Sequence, residues 1–337
     1  MRFVMAVSVL FSHSFHLSLG QGANDPLETV TPHMGFGSLG VFVFFFISGF
    51  LCPESVKKSS GFIRYILSKL KRLVPPLAIV TFFLALIAGP FLSSLEPAAY
   101  YASPQTYRYL LNSAFILVHE LPGVFEHNIY NATVNGALWT MPIEFLCLLL
   151  GYMVWKLDID LKNRQMILIP LSVTGVIVLW TLFPNTPTIT PAISPCAMFF
   201  IGILYNIYHD RLPLKPLYAV LSGMLFMISC ATPSRPLFLL TLYIALPYVL
   251  AFLGLGLRPR IKNTAGTKKT PAGILNIITD SRLPYCMYLC GFPIQQTLVM
   301  LSGGSMNPLH NFFLALPIDF LCGMLLCTII EHIFVKR

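Results

Sequence analysis

Long apolar blocks dominate this chain, and few folds can hold them. The run "FLLTLYIALPYVLAFLGLGL", Phe238–Leu257, contains no charged residue. A helix needs about 20 apolar residues to cross the hydrocarbon core of a bilayer. Blocks of this kind recur along the sequence, each closed by a short polar break. Of the 337 residues, 56% are hydrophobic and only 10% are charged, far from the balance of a soluble domain. The fold class is therefore an all-α, polytopic transmembrane helical bundle. A transmembrane barrel would show short alternating segments instead.

Ten crossings are expected, at about 3–20, 36–52, 73–93, 137–156, 166–183, 193–208, 216–231, 236–256, 284–301 and 311–334. The opening "MRFVMAVSVLFSHSF" lacks a small-residue cleavage site, so it reads as a retained first span rather than a signal peptide. The apolar piece at 108–119 holds Arg108 and Asn112 and is too brief to cross. It reads as re-entrant or interfacial. The cations test the count. With the N-terminus in the cytoplasm, every Lys and Arg except Arg108 and Arg235 falls on the inner side, in agreement with the positive-inside rule. A full span at 108–119 would invert all that follows. Both termini are thus expected in the cytoplasm, and the net charge of +9 marks topology, not nucleic-acid binding. No internal repeat and no separate soluble domain is visible, so residues 1–337 read as one integral membrane domain. The outer segment from about 94 to 136 is long and poorly charged, as a lid or acceptor platform would be. The eight scattered cysteines include no Cys-x-x-Cys pair and read as buried free thiols rather than a disulfide frame or metal site.

Polar residues inside spans are costly, and each is a functional candidate. His13 lies eleven residues after Arg2, which is three helical turns plus about 20°, so the two share a face about 16 Å apart. Histidine at that depth can serve as base or nucleophile, or it can be a hydrogen-bonded core residue. Glu144, in "LWTMPIEFLC", lies at a similar depth from the other side. Thr140 precedes it on the same face, Trp139 sits above, and Pro142 is expected to loosen the helix there. Glu144 can be structural or part of a site. Lys69 and Arg72, three apart at the start of the third span, suit the phosphates of an anionic cofactor or simply anchor topology. Tyr285, Tyr288, Gln295 and Gln296 on the ninth span can line a substrate or hold helices together. Glu331 is expected to pair with a basic loop residue.

These pieces resemble, in order, the membrane acyltransferase 3 family, whose members acylate surface polysaccharides and other extracytoplasmic sugars. The family pattern is echoed by Arg2 and His13, by "GVFVFFFISGFL" at Gly40–Leu51, by "KLKRLVP", by "LWTMPIE", by "LPYCMYLCGFPIQQ" and by Glu331. "LPGVFEHNIYNATVNGALWT" resembles the branch acting on O-antigen or exopolysaccharide. The resemblance implies transfer of an acyl group, acetyl above all, from cytoplasmic acetyl-CoA to a sugar hydroxyl outside. It implies His13 as base or acyl carrier, with Arg2 and Glu144 completing the catalytic set. It implies Lys69 and Arg72 on the CoA phosphates and Ser48 and Gly49 at the cofactor channel. Trp139, Thr140, Tyr285, Tyr288 and Gln296 would face the acceptor glycan, and no metal is expected. The rival reading is a transporter with His13 and Glu144 as a proton relay.

Overall fold

A computed structural model describes residues 1–160, 172–177, 190–256 and 282–335. The described residues are helical apart from turns and two isolated β-bridges. The main helices are α1 (Arg2–Leu19), α2 (Pro26–Val30), α3 (Phe36–Lys57) and α4 (Phe62–Phe83). A π-helical turn (Leu84–Ala88) and α5 (Gly89–Leu92) prolong α4, and the short helices α6 (Pro97–Ala102) and α7 (Pro104–Arg108) follow. Then come α8 (Thr140–Asp160), α9 (Thr190–Tyr208), α10 (Pro216–Ala231), α11 (Arg235–Ala251), α12 (Leu283–Leu301) and α13 (Pro308–Ile330). Among the described residues, six stretches are long and apolar enough to cross a membrane: Arg2–Leu19, Phe36–Lys57, Phe62–Leu92, Gly136–Lys156, Arg235–Leu255 and Pro308–Ile333. Of the expected span 166–183, only the helical residues 172–177 lie within the described chain.

The chain divides into two compact units. The first comprises Leu27–Tyr65 and Ile143–Gly273 together with Met1. Its centre is the seam between α3 and α9, which two glycines make possible. A Cβ on Gly49 would strike the backbone of Phe199, and one on Gly202 would strike the backbone of Phe46 and Phe50. Small residues at such a seam let helix backbones approach closely, where apolar burial alone gives no drive inside lipid. On α8, Gly151 leaves room for the Phe199 ring and the Cys52 thiol. The wholly buried Tyr65 donates to the Leu148 carbonyl at 3.2 Å.

The second unit comprises Arg2–Pro26, Ile66–Pro142 and Ile274–Arg337. Here α1, α12 and α13 pack together. Gln295 on α12 donates to the Leu10 carbonyl at 2.9 Å, and Asn311 on α13 donates to the Gln295 carbonyl at 3.3 Å. Cys286 and Cys327 meet at 3.1 Å across the α12–α13 contact. Arg282 donates to Glu331 at 3.2 Å, the pairing expected for that glutamate. An apolar cavity of about 210 Å³ lies between α4, α12 and α13, walled by Phe83, Leu84, Cys290, Pro293, Cys322 and Leu326 among others. It has room for hydrocarbon and offers almost nothing to a phosphate or a sugar.

Segment 93–136 belongs to this unit and is folded. Asn112 donates to the Tyr109 and Val118 carbonyls and accepts from the Val118 amide. Phe115, Phe125 and Ala132 take left-handed backbone angles, with φ of 64°, 57° and 56°, which non-glycine residues adopt uncommonly and in turns. The piece 108–119 is a short 3-10 turn, Tyr109–Ala114, followed by irregular chain, so it does not cross.

Candidate functional site

His13 stands on α1 with its ring edge-on to Phe292 of α12, centroids 5.2 Å apart. Among the described residues its imidazole makes no hydrogen bond. His16, one turn on, has its Nδ1 2.9 Å from the Ser12 carbonyl. Ser12 in turn donates to Asp25 at 2.7 Å, and that carboxylate is fully buried.

Phe292 joins Leu17 and Ala137 in one buried cluster, with Tyr130 and Tyr288 packed against it. Here the chain after segment 93–136 enters α8 through a 3-10 turn, Gly136–Trp139. Asn135 caps the turn, its side chain accepting from the Ala137 amide. A Cβ on Gly136 would lie 2.8 Å from the Phe292 ring, so only glycine lets the turn sit so close. Tyr288 donates to the Ala137 carbonyl at 2.9 Å, and its oxygen lies 2.9 Å from the Thr140 hydroxyl. Burial pushes the pKa of the Tyr130 phenol up, so it stays protonated. His13, Phe292, Tyr288 and the Gly136–Thr140 turn are thus linked through Phe292: the imidazole meets its ring edge-on, and the same ring packs against Tyr288 and the turn that carries Trp139 and Thr140.

Other expected residues fall as follows. Tyr285 donates to the Leu73 carbonyl at 2.9 Å, tying α12 to α4. Gln296 donates to the Tyr130 and Thr133 carbonyls and accepts from Asn128, all at 2.8–2.9 Å. Lys69 is buried while Arg72 is exposed, and a buried lysine is normally a paired one. Arg2 occupies the first turn of α1 and is half-buried. These residues all belong to the second unit. Ser48, Gly49 and Glu144 belong to the first, where Ser48 donates to Glu144 at 2.9 Å. That pair was not foreseen from sequence. Gly49 lies in the α3–α9 seam, and this packing accounts for its missing side chain. Pro142 lies in the first turn of α8, where the absent N–H costs little. It therefore opens the helix rather than loosening it, contrary to the expectation.

Four polar residues stand out that the sequence reading had not singled out: Asp25, Asn128, Asn135 and Asp319, all buried. Asp319 lies in the middle of α13, beside Gly291, with its Oδ1 unbonded. No group of three or more His, Cys, Asp or Glu that could hold a metal occurs among the described residues.

The profile of one family, acyltransferase 3, described as an acyltransferase domain, matches residues 1–332. The chain belongs to the acyltransferase 3 family. An "O-acetyl transferase" of Shigella phage Sf6 is 34% identical over 149 residues, covering 43% of this chain and 41% of that protein. "Nodulation protein 10" of Rhizobium leguminosarum bv. viciae is 26% identical over 225 residues, covering 63% of this chain and 59% of that protein. The chain thus spans about half the length of these relatives. No solved structure matches.

Proposed function

We propose that this acyltransferase 3 chain is an O-acyltransferase of the inner membrane. In this reading it moves an acyl group, acetyl above all, from cytoplasmic acyl-CoA to a hydroxyl of an extracytoplasmic glycan. The observation that carries the proposal is the His13 constellation, inside a chain whose family match runs almost end to end. The name of the phage relative, an O-acetyl transferase, supports the choice of oxygen as acceptor and acetyl as cargo. Ten spans with both termini cytoplasmic would present the Arg2–Lys69–Arg72 end to the donor and segment 93–136 to the acceptor.

The chemistry balances without a metal. His13 takes the proton of the sugar hydroxyl. The sugar oxygen attacks the thioester carbonyl, the carbon–sulfur bond breaks, and the thiolate of CoA leaves and is protonated. If His13 is first acylated, a ring nitrogen forms a C–N bond as the C–S bond breaks and the CoA thiolate leaves with the imidazole proton; the sugar oxygen then forms its C–O bond as the C–N bond breaks, and the hydroxyl proton passes to the freed imidazole. Lys69 and Arg72 would hold the phosphates of CoA. The buried Lys69 fits that task as a charge in a sheltered place, and the exposed Arg72 adds a fork for phosphate oxygens. Ser48 and Gly49 would border the donor's path, Arg2 would orient the donor end of α1, and Glu144, held by Ser48, would complete the charge pattern. Trp139, Thr140, Tyr285 and Tyr288 would contact the sugar, with Gln296 fixing the loop beside them.

The test is transfer from radiolabelled acetyl-CoA to alkali-deacetylated surface polysaccharide by the purified protein in lipid. His13→Gln keeps similar bulk but cannot take up a proton near neutrality. It should stay folded and be inactive, as should His13→Ala. An active His13→Gln protein would end the assignment of His13 as base or carrier.

A further inference from the structure

Pro293 interrupts the hydrogen bonding of α12. It has no N–H, so the carbonyl four residues earlier, Leu289, loses its helical partner. Asn135 supplies the replacement: its Nδ2 donates to the Leu289 oxygen at 2.9 Å. The other end of the same amide accepts from the Ala137 N–H at 3.2 Å. Asn135 is wholly buried, and both ends of its side chain are engaged. It joins a defect in α12 to the turn that carries Trp139 and Thr140.

The neighbouring contacts converge on that turn. Asn128 donates to both the backbone and the side-chain oxygen of Gln296, at 2.9 and 2.8 Å. Gln296 returns two bonds to the Tyr130 and Thr133 carbonyls. The chain from 128 to 135 is therefore pinned to α12 by three side-chain amides, those of Asn128, Gln296 and Asn135, with Asn135 as the last pin before the turn. Beyond it, Phe292 is wedged between Gly136 and the His13 ring.

We propose that Asn135 is a positioning residue for the acceptor side of the reaction. It fixes the Gly136–Thr140 turn against α12 and so sets the place of the accepting hydroxyl relative to His13. The inference rests on the acyl-transfer reading. Lys69 and Arg72, the residues proposed for the donor, lie on α4, and none of the bonds just described involves either. A displaced turn should therefore weaken use of the glycan and leave use of acetyl-CoA alone. Misplacement by about 1 Å can cost about a hundredfold in rate.

Asn135→Ser tests this. Serine keeps an oxygen able to cap the turn but cannot reach Leu289, whose carbonyl is then orphaned. Pro293→Ala, added to it, gives that carbonyl an intrahelical N–H. Kinetics would be measured with radiolabelled acetyl-CoA and deacetylated polysaccharide, alongside thermal midpoints and Trp139 emission. For Asn135→Ser, kcat/KM for the polysaccharide should fall about tenfold or more with KM for acetyl-CoA nearly unchanged, and the double variant should recover part of the loss. Equal effects on both substrates, tracking the thermal midpoint and not recovered in the double variant, would overturn the proposal. So would wild-type kinetics in Asn135→Ser. Should the wild-type protein transfer no acetyl group, the acyl-transfer reading itself fails. The clamp is then judged by Trp139 emission, which must shift in Asn135→Ser and return in the double variant, and an unchanged emission rejects it.

Discussion

Gly49→Ala is the substitution whose outcome the packing fixes most tightly. The added methyl would sit 2.6 Å from the Phe199 carbonyl carbon and 2.9 Å from its Cα, where carbon atoms normally stand about 3.5–4.0 Å apart. The obstacle is backbone, so no rotamer change removes it, and α3 and α9 must part by about 1 Å. A gap of that size forfeits up to about half the attraction of each contact along the seam. Overpacking of this kind costs about 1–3 kcal/mol, and the rigid obstacle argues for the upper end. At about 2–4 °C per kcal/mol, the thermal midpoint should drop by roughly 6–12 °C.

Two other glycines serve as controls. At Gly291 the nearest atom to an added Cβ, at 2.6 Å, is Leu10 Cδ1, the end of a side chain that can turn away. Gly291→Ala should therefore cost less than about 1 kcal/mol. At Gly175 nothing lies within 4 Å, so alanine in that helical stretch should be neutral or stabilise by up to about 1 kcal/mol. The assay is thermal unfolding in detergent, read by size exclusion after heating, with CoA binding measured on the same samples. A wild-type midpoint for Gly49→Ala would refute the packing argument. A wild-type midpoint with lost CoA binding would assign Gly49 to the donor path instead.

Three further outcomes are expected. Lys69→Ala with Arg72→Ala should weaken CoA binding, measured by calorimetry, while Lys69→Arg retains it; unchanged binding in the double variant would leave the pair as topology anchors. Asp319→Asn keeps the shape of a buried side chain and removes an ionisable group from the middle of α13, so its midpoint should equal or exceed that of the wild type, whereas Asp319→Lys should fail to insert, as judged by membrane fractionation. A tag placed at Pro122 should be reached by an impermeant label in intact cells, and a reporter fused after Arg337 should be active in the cytoplasm; a shielded Pro122 would contradict the ten-span topology.

Much of the helical framework was legible because long apolar blocks, once shielded from water, satisfy their backbone as helices. Expected bounds of 216–231 and 284–301 meet helices at Pro216–Ala231 and Leu283–Leu301. The bounds fail where helix and apolar block part company. The third span was expected from 73, yet α4 begins at Phe62. Its first turns carry Arg64, Lys69, Lys71 and Arg72, which favour water over lipid but do not disfavour helix. Hydropathy sees the part of a helix that lipid covers, not the helix. The same holds for α3, which runs on through Pro53 to Lys57.

The members of the candidate site stand out in the sequence one by one, but their arrangement does not. His13 announced itself as a histidine in an apolar block, while its neighbour Phe292 looked like any core aromatic. Asp319 carries the same signal as Glu144, a lone acid between apolar residues, but no neighbouring motif accompanies it. Asn128 and Asn135 gave no such signal. Asparagine in a long connecting segment reads as a solvated turn residue, and its burial depends on a carbonyl that is more than 150 positions away in sequence.

Those carbonyls explain why segment 93–136 folds where it does. In a bilayer a backbone group that loses its helical partner must find another inside the protein. At the π-helical turn the Gly89 amide reaches back to the Leu84 carbonyl, which leaves the Ala85 carbonyl facing Pro90, a residue with no N–H. The Tyr100 hydroxyl donates to that carbonyl at 2.8 Å, and Tyr101 does the same for Leu86. At Pro293 the vacated carbonyl of Leu289 is taken by Asn135. One segment thus meets defects in two helices, α4 at its beginning and α12 at its end. Prolines that look like isolated helix breakers in the sequence act as the sockets of this segment, and filling them sets the turn beside His13.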